Sequence, residues 1–118
     1  MVLVLAAWTT GDWSGSSTVV KIALEGPITG DQSSNGIDML NGAKLAADEA
    51  NAAGGVLGRR IEVVPADDRG DPETGQQVAR RLTAAGVFAV IGPYNSAVGV
   101  KNLKTYLAGR GAPSRTTR

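Results

Sequence analysis

The chain has 118 residues, the size of one ordinary domain, and its 42% hydrophobic and 19% charged content suits a folded, water-exposed chain. It contains neither Cys nor His, which excludes thiol nucleophiles, disulfides, Ser-His-Asp triads and imidazole metal sites. Net charge is +1, yet all 11 acids lie within residues 1–73 and residues 74–118 carry only bases, a field that can favour anions or nucleic acid. The aromatics are Trp8, Trp13, Phe88, Tyr94 and Tyr106, so aliphatic side chains must build the core.

Met1 to Ala7 reads MVLVLAA, too short to cross a bilayer and shaped like the end of an export signal. The polar stretch that follows, to residue 18, suits a tether. Leu5-Ala6-Ala7 is the start of a lipoprotein signal, but Trp8 stands where that signal needs Cys, and no basic residue precedes the apolar run. Lipid attachment at that position is excluded, and residues 1–18 read as a truncated signal-like segment.

Val19-Val20-Lys21-Ile22-Ala23-Leu24 is β-branched and apolar, and predicts a first strand. The loop Gly26–Gly36 leads to a helix from about Ile37, with Leu40, Ala43, Ala47 and Ala50 at helical spacing. Gly54-Gly55 stops it as a left-handed cap does. Ile61 to Val64 predicts the second strand. Asp71-Pro72-Glu73 then opens a second helix, with an N-cap acceptor, a first-turn proline and an acid near the dipole's positive end. Val78, Leu82 and Ala85 form its inner face, and Gly86 ends it. Val87 to Ile91 is apolar throughout, as a strand buried on both faces should be. A third helix follows Gly92-Pro93-Tyr94-Asn95-Ser96, with Val100, Leu103 and Leu107 inward and Gly109 closing it.

Alternating strands and helices predict an α/β fold, a partial doubly wound parallel sheet of flavodoxin-like order 2-1-3. In that order the winding reverses between strands one and three. The loops after them, Gly26–Gly36 and Gly92–Ser96, flank the crevice where such sheets bind ligands.

Asn95 and Ser96 stand where free N–H groups and the helix dipole favour a carboxylate or phosphate. A plain helix cap explains the same residues. Asp67, Asp68 and Asp71 could hold Mg²⁺ or take a phosphoryl group; a helix cap at Asp71 and a solvated strand end at Ala66–Arg69 explain them equally. Neither the P-loop nor the dinucleotide fingerprint is present. The basic half lacks a nucleic-acid motif, so no nucleic-acid partner is expected.

The blocks NGAKLAADEANAAGGVLGRR, ADDRGDP and VIGPYNS, in this order, carry a family resemblance. From about Val19 to Gly109 it resembles the first lobe of type I periplasmic binding proteins for branched-chain amino acids, the solute receptors of ABC importers. The resemblance implies a clamp that closes over an amino acid without chemistry on it, so no enzyme, catalytic residue, metal or cofactor is expected. In that pattern Ser96 holds the ligand's α-carboxylate or ammonium. Tyr94 and Asn95 line the same pocket, and Asn35 covers the ligand from the first loop. Relatives often carry an aromatic ring at the Asn35 position, so a more polar amino acid or an amide joins the branched-chain type as expected ligand. The family's importer membrane subunits are the implied partners, and a periplasmic or cell-surface location is implied.

The second lobe of the family is absent from this sequence. Residues 19–109 read as a partial N-terminal lobe and 110–118 as an off-pattern basic tail, so the chain is expected to be incompetent for transport alone. A sheet ending at strand three predicts an exposed edge and self-association. Two other readings share the fold: a ligand-sensing module of a receptor or regulator, and a small phosphotransfer or metal-dependent enzyme built on Asp67 and Asp68.

Overall fold

A computed structural model describes residues 19–110; the signal-like segment and most of the basic tail lie outside the described residues. The elements are β1 (Val19–Gly26), α1 (Ser33–Ala52), β2 (Arg60–Asp67), α2 (Pro72–Ala84), β3 (Ala89–Ile91) and α3 (Ser96–Arg110). The strands form one parallel sheet of order β2-β1-β3, as predicted. Val19 lies opposite Arg60 and Gly26 opposite Asp67, while Ile22 to Leu24 pair with Ala89 to Ile91.

The crossovers from β1 to β2 and from β2 to β3 run in opposite directions. Right-handed connection therefore puts α1 on one face of the sheet and α2 on the other. Alternation along β1 turns Ala23 and Glu25 to the α2 face and Leu24 to the α1 face. Ala23, Ala66, Val78 and Leu82 form the core of the α2 side, with Val64, Val87, Val90 and Tyr106 packed around them.

Several local signals act as expected. Asp71 Oδ2 accepts the Thr74 N–H at 2.7 Å and the Thr74 hydroxyl at 2.7 Å, capping α2 with Pro72 in its first turn. Gly54, Gly55 and Gly86 take positive φ where helices end. The bond from the Thr74 backbone N–H holds the Asp71 carboxyl below its ordinary value. Asp71→Ala should lower the melting temperature at neutral pH. A depressed carboxyl stabilises above its unfolded pKa and loses that effect as pH falls through its folded one. The difference between variant and parent should therefore shrink in acid; a difference independent of pH would contradict the cap.

Four expectations fail. The apolar run Val87–Ile91 is not buried on both faces: only Ala89–Ile91 pair, and among the described residues β3 has a neighbour on one side alone; Phe88 is 80% exposed. On α3, Val100 is 77% exposed and Leu103 and Leu107 are 56% exposed. The inward face is instead Val98, Asn102 and Tyr106, because the helix packs on α2 and reaches over to Glu25. Ala85 is the exposed C-cap residue of α2, whose inner face is Gly75, Val78, Ala79 and Leu82. Gly109 does not close α3; it lies within the helix against Thr83, whose Cγ2 would sit 2.5 Å from a Cβ there.

Gly75 explains how α3 comes so close. A Cβ at this position would lie 2.4 Å from Val98 Cγ1, so only glycine lets the two helices meet here. At the other side of the molecule, the Asn51 side chain exchanges two bonds of 2.8 Å with the Ile61 backbone, clipping the end of α1 to β2.

Candidate ligand site at the carboxyl ends of the strands

The three loops beyond the carboxyl ends of the strands converge. Asp67, at the end of β2, accepts the Ile28 N–H at 3.0 Å, the Thr29 N–H at 3.2 Å and the Thr29 hydroxyl at 2.6 Å. It also accepts the Arg69 N–H at 3.0 Å. Desolvation pushes its carboxyl up, but these bonds outweigh it and hold the group below its ordinary range. Asp67 is thereby an anchor for the loop after β1.

Asp68 is fully buried, so the expected solvated strand end is corrected: Ala66 and Asp68 both face inward. Asp68 Oδ1 accepts the Gly70 N–H at 2.8 Å, while Oδ2 has no partner among the described residues. Burial pushes this carboxyl up. Asp67, Asp68 and Asp71 therefore serve three separate structural jobs. Among the described residues no group of three or more acids converges in a way that could hold a metal ion.

Tyr94, Asn95 and Ser96 lead directly into α3 beside the crevice. Ser96 opens the helix as predicted and is exposed, and Tyr94 is about half exposed. Asn95 Nδ2 donates to Gln32 Oε1 at 2.8 Å, joining the loop before α3 to the one after β1. Asn35 is not in a loop. Helix α1 begins at Ser33, four residues earlier than expected, so Asn35 lies in its first turn, exposed, with its N–H donating to the Gln32 carbonyl at 3.0 Å. The structure thus brings Tyr94, Asn95 and Ser96 to one edge and ties that edge to Gln32, which the sequence reading passed over.

Sequence reasoning also missed the group that seats α3. Glu25 is fully buried at the end of β1, where its carboxylate accepts Asn102 Nδ2 at 2.6 Å and the Tyr106 hydroxyl. Desolvation drives its pKa up against the lowering effect of those two bonds, and the nearby Asp68 charge adds to the rise. Burial and the neighbouring Glu25 raise the Tyr106 phenol as well. A lone acid inside the apolar run VVKIALEG, and polar residues four apart on the third helix, were the available signals.

A family model described as periplasmic binding protein matches residues 19–116. The chain belongs to the periplasmic binding protein family. It is 37% identical over 81 residues to the Leu/Ile/Val-binding protein BraC3 of Rhizobium johnstonii, covering 69% of this chain and 22% of that protein. It is 39% identical over 80 residues to a leucine-, isoleucine-, valine-, threonine- and alanine-binding protein of Pseudomonas aeruginosa, covering 68% of this chain and 21% of that one.

Among solved structures, the chain superposes on the branched-chain amino-acid transporter substrate-binding protein LivJ of Streptococcus pneumoniae in complex with isoleucine. The TM-score is 0.73 at 33% identity, over 77% of this chain and 26% of that one. A Desulfitobacterium hafniense ABC transporter substrate-binding protein in complex with Leu gives a TM-score of 0.65 at 31% identity, with 77% and 26% covered. This periplasmic binding protein chain therefore spans roughly a quarter of the length of its relatives, the part that forms the first three strand-helix units.

Proposed function

We propose that this chain is the amino-acid-binding face of the first lobe of an extracytoplasmic solute receptor for an ABC importer. Ser96 contacts the ligand's α-carboxylate or ammonium, Tyr94 and Asn95 border it, and Asn35 approaches from the first turn of α1. The ligand is an amino acid of the branched-chain type, or a related amino acid or amide. In the assembled receptor the importer's membrane subunits read both lobes.

The observation that carries the reading is the exposed start of α3, with Ser96 at its tip, at the sheet's switch point in a member of this family. A helix start offers N–H groups and a positive dipole end to a carboxylate. The serine hydroxyl supplies one donor and two acceptor lone pairs, so it can serve a carboxylate and an ammonium at once. A single wall does not desolvate its ligand, which limits affinity to about millimolar.

A thermal melt with ~10 mM leucine tests it. A site of ~1 mM would add about 1.4 kcal/mol, a shift of several degrees for a domain of this size. The shift should disappear in Ser96→Ala, while valine and short amides rank the ligand class. A melt indifferent to every amino acid and amide would refute the proposal.

A further inference from the structure

Two helices on opposite faces of the sheet leave apolar stripes in solvent. On α3, Val100 is 77% exposed and Leu103 and Leu107 are 56% exposed, and their spacing puts them in one line along the helix. On α1, Ile37 is 43% and Leu45 61% exposed, about two turns apart on one side. The Cβ position of Gly42 has no atom within 4 Å, so the surface beside Leu45 is notched. Single exposed apolar side chains are ordinary, whereas lines of them along a helix mark contact surfaces.

The charges around the two stripes are opposite in sign. Helix α1 carries Asp38, Asp48 and Glu49 against Lys44 alone, and all four are exposed. Asp38 follows Ile37 directly, and Asp48 and Glu49 stand one turn beyond Leu45. The layer of α2 and α3 carries Arg80, Arg81, Lys101 and Lys104 against one acid, Glu73, and Glu73 is already paired with Lys101. Lys104 is exposed one turn from both Val100 and Leu107. A symmetric contact, α1 on α1 or α3 on α3, would set like charge against like. A contact of α3 on α1 matches apolar stripe to apolar stripe and base to acid.

We propose that the basic α3 stripe of one copy of this chain docks on the acidic α1 stripe of a second copy. The two stripes lie on opposite faces of the sheet, so each docked copy keeps one stripe free for the next. The contact is heterologous, and assembly runs past the dimer. It involves neither Ser96 nor the crevice, and stands apart from the amino-acid reading above.

Sedimentation velocity of the 118-residue chain, from micromolar to millimolar concentration, tests this. Species of two, three and more copies should appear in turn. Raising the ionic strength from about 0.01 M to about 1 M should weaken their association about tenfold. Leu103→Gln and Leu45→Gln each remove one exposed apolar contact and should leave the circular dichroism and melting temperature of the dilute chain unchanged. Each should weaken self-association about tenfold. Mixed, the two variants should form a two-chain species and nothing larger, because one brings an intact α1 stripe and the other an intact α3 stripe. Lys104→Glu touches no apolar group and should weaken association as well. A chain that stays monomeric throughout overturns the proposal, as does one whose association Lys104→Glu leaves unchanged. A dimer that neither leucine substitution weakens also overturns it, and would mark pairing beside β3 instead.

Discussion

Glu25→Ala is expected to cost about 3 kcal/mol, because it strands the buried Asn102 Nδ2 and the part-buried Tyr106 hydroxyl without their acceptor. The loss should appear as weaker docking of α3, since Glu25 is the point at which that helix is bonded to β1. Glu25→Gln should behave very differently. It keeps the shape and an acceptor for Asn102 while removing a charge that burial disfavours.

The pH profile separates the two effects. A carboxyl whose folded pKa is raised binds its proton more tightly in the folded state. Its contribution is present below the unfolded value and is lost as pH rises through the folded one. Glu25 and Asp68 both act in this direction. Asp67 and Asp71 act oppositely, losing their contribution as pH falls below the ordinary carboxylate range. The parent should therefore lose melting temperature as pH rises above the ordinary carboxylate range, where these two buried carboxyls must give up their protons. Glu25→Gln should flatten that slope and exceed the parent at the alkaline end. Parallel curves for the two proteins would show that Glu25 carries no net proton linkage.

Gly36→Ala carries the other large effect. A Cβ on Gly36 would lie 2.2 Å from the Pro27 carbonyl oxygen, 2.4 Å from its carbon and 2.8 Å from the Ile28 nitrogen. All three are main-chain atoms and no side-chain rotation relieves them, so α1 must lift off the loop after β1. A loss of about 3 kcal/mol is expected, the upper part of the range for overpacking. Gly42 in the same helix has nothing within 4 Å of its Cβ position. There the same replacement should stabilise by about 0.5–1 kcal/mol, through propensity alone. Urea unfolding midpoints of the two variants should move in opposite directions; movement in the same direction would contradict the close approach at Pro27.

Much of the architecture was legible because the local signals agreed with one another. Three alternations of strand and helix, the Asp71-Pro72 start and the Gly54-Gly55 stop dictate the path and the sheet order. Location of the site followed from the winding rule, which places ligands where the crossovers diverge. The orientation of α3 was not legible. Val100, Leu103 and Leu107 make a good apolar stripe, and helical spacing alone cannot say that Val98, Asn102 and Tyr106 turn inward instead. That choice is made by Glu25 and by the missing side chain at Gly75, both on other elements. The early start of α1 was hidden for a related reason. Ser33, Ser34, Asn35 and Gly36 are weak helix formers, recruited by the packing of Gly36 on Pro27. The Gln32 to Asn95 bond joins residues 63 apart, and no short-range pattern announces such a pair.

The clip between Asn51 and Ile61 gives the sheet a handed edge. Both backbone groups of Ile61 point away from β1 to meet Asn51, so by the alternation of a parallel strand Val63 and Pro65 present theirs to the same side. Asn51 occupies the first of these positions, and at Pro65 there is no N–H to offer. The outer margin of β2 is thus a poor template. β3 carries no such block along Ala89–Ile91 and, among the described residues, is paired on one side only. Among the described strands the sheet can be lengthened sideways in one direction only: a strand that joins it must do so beside β3.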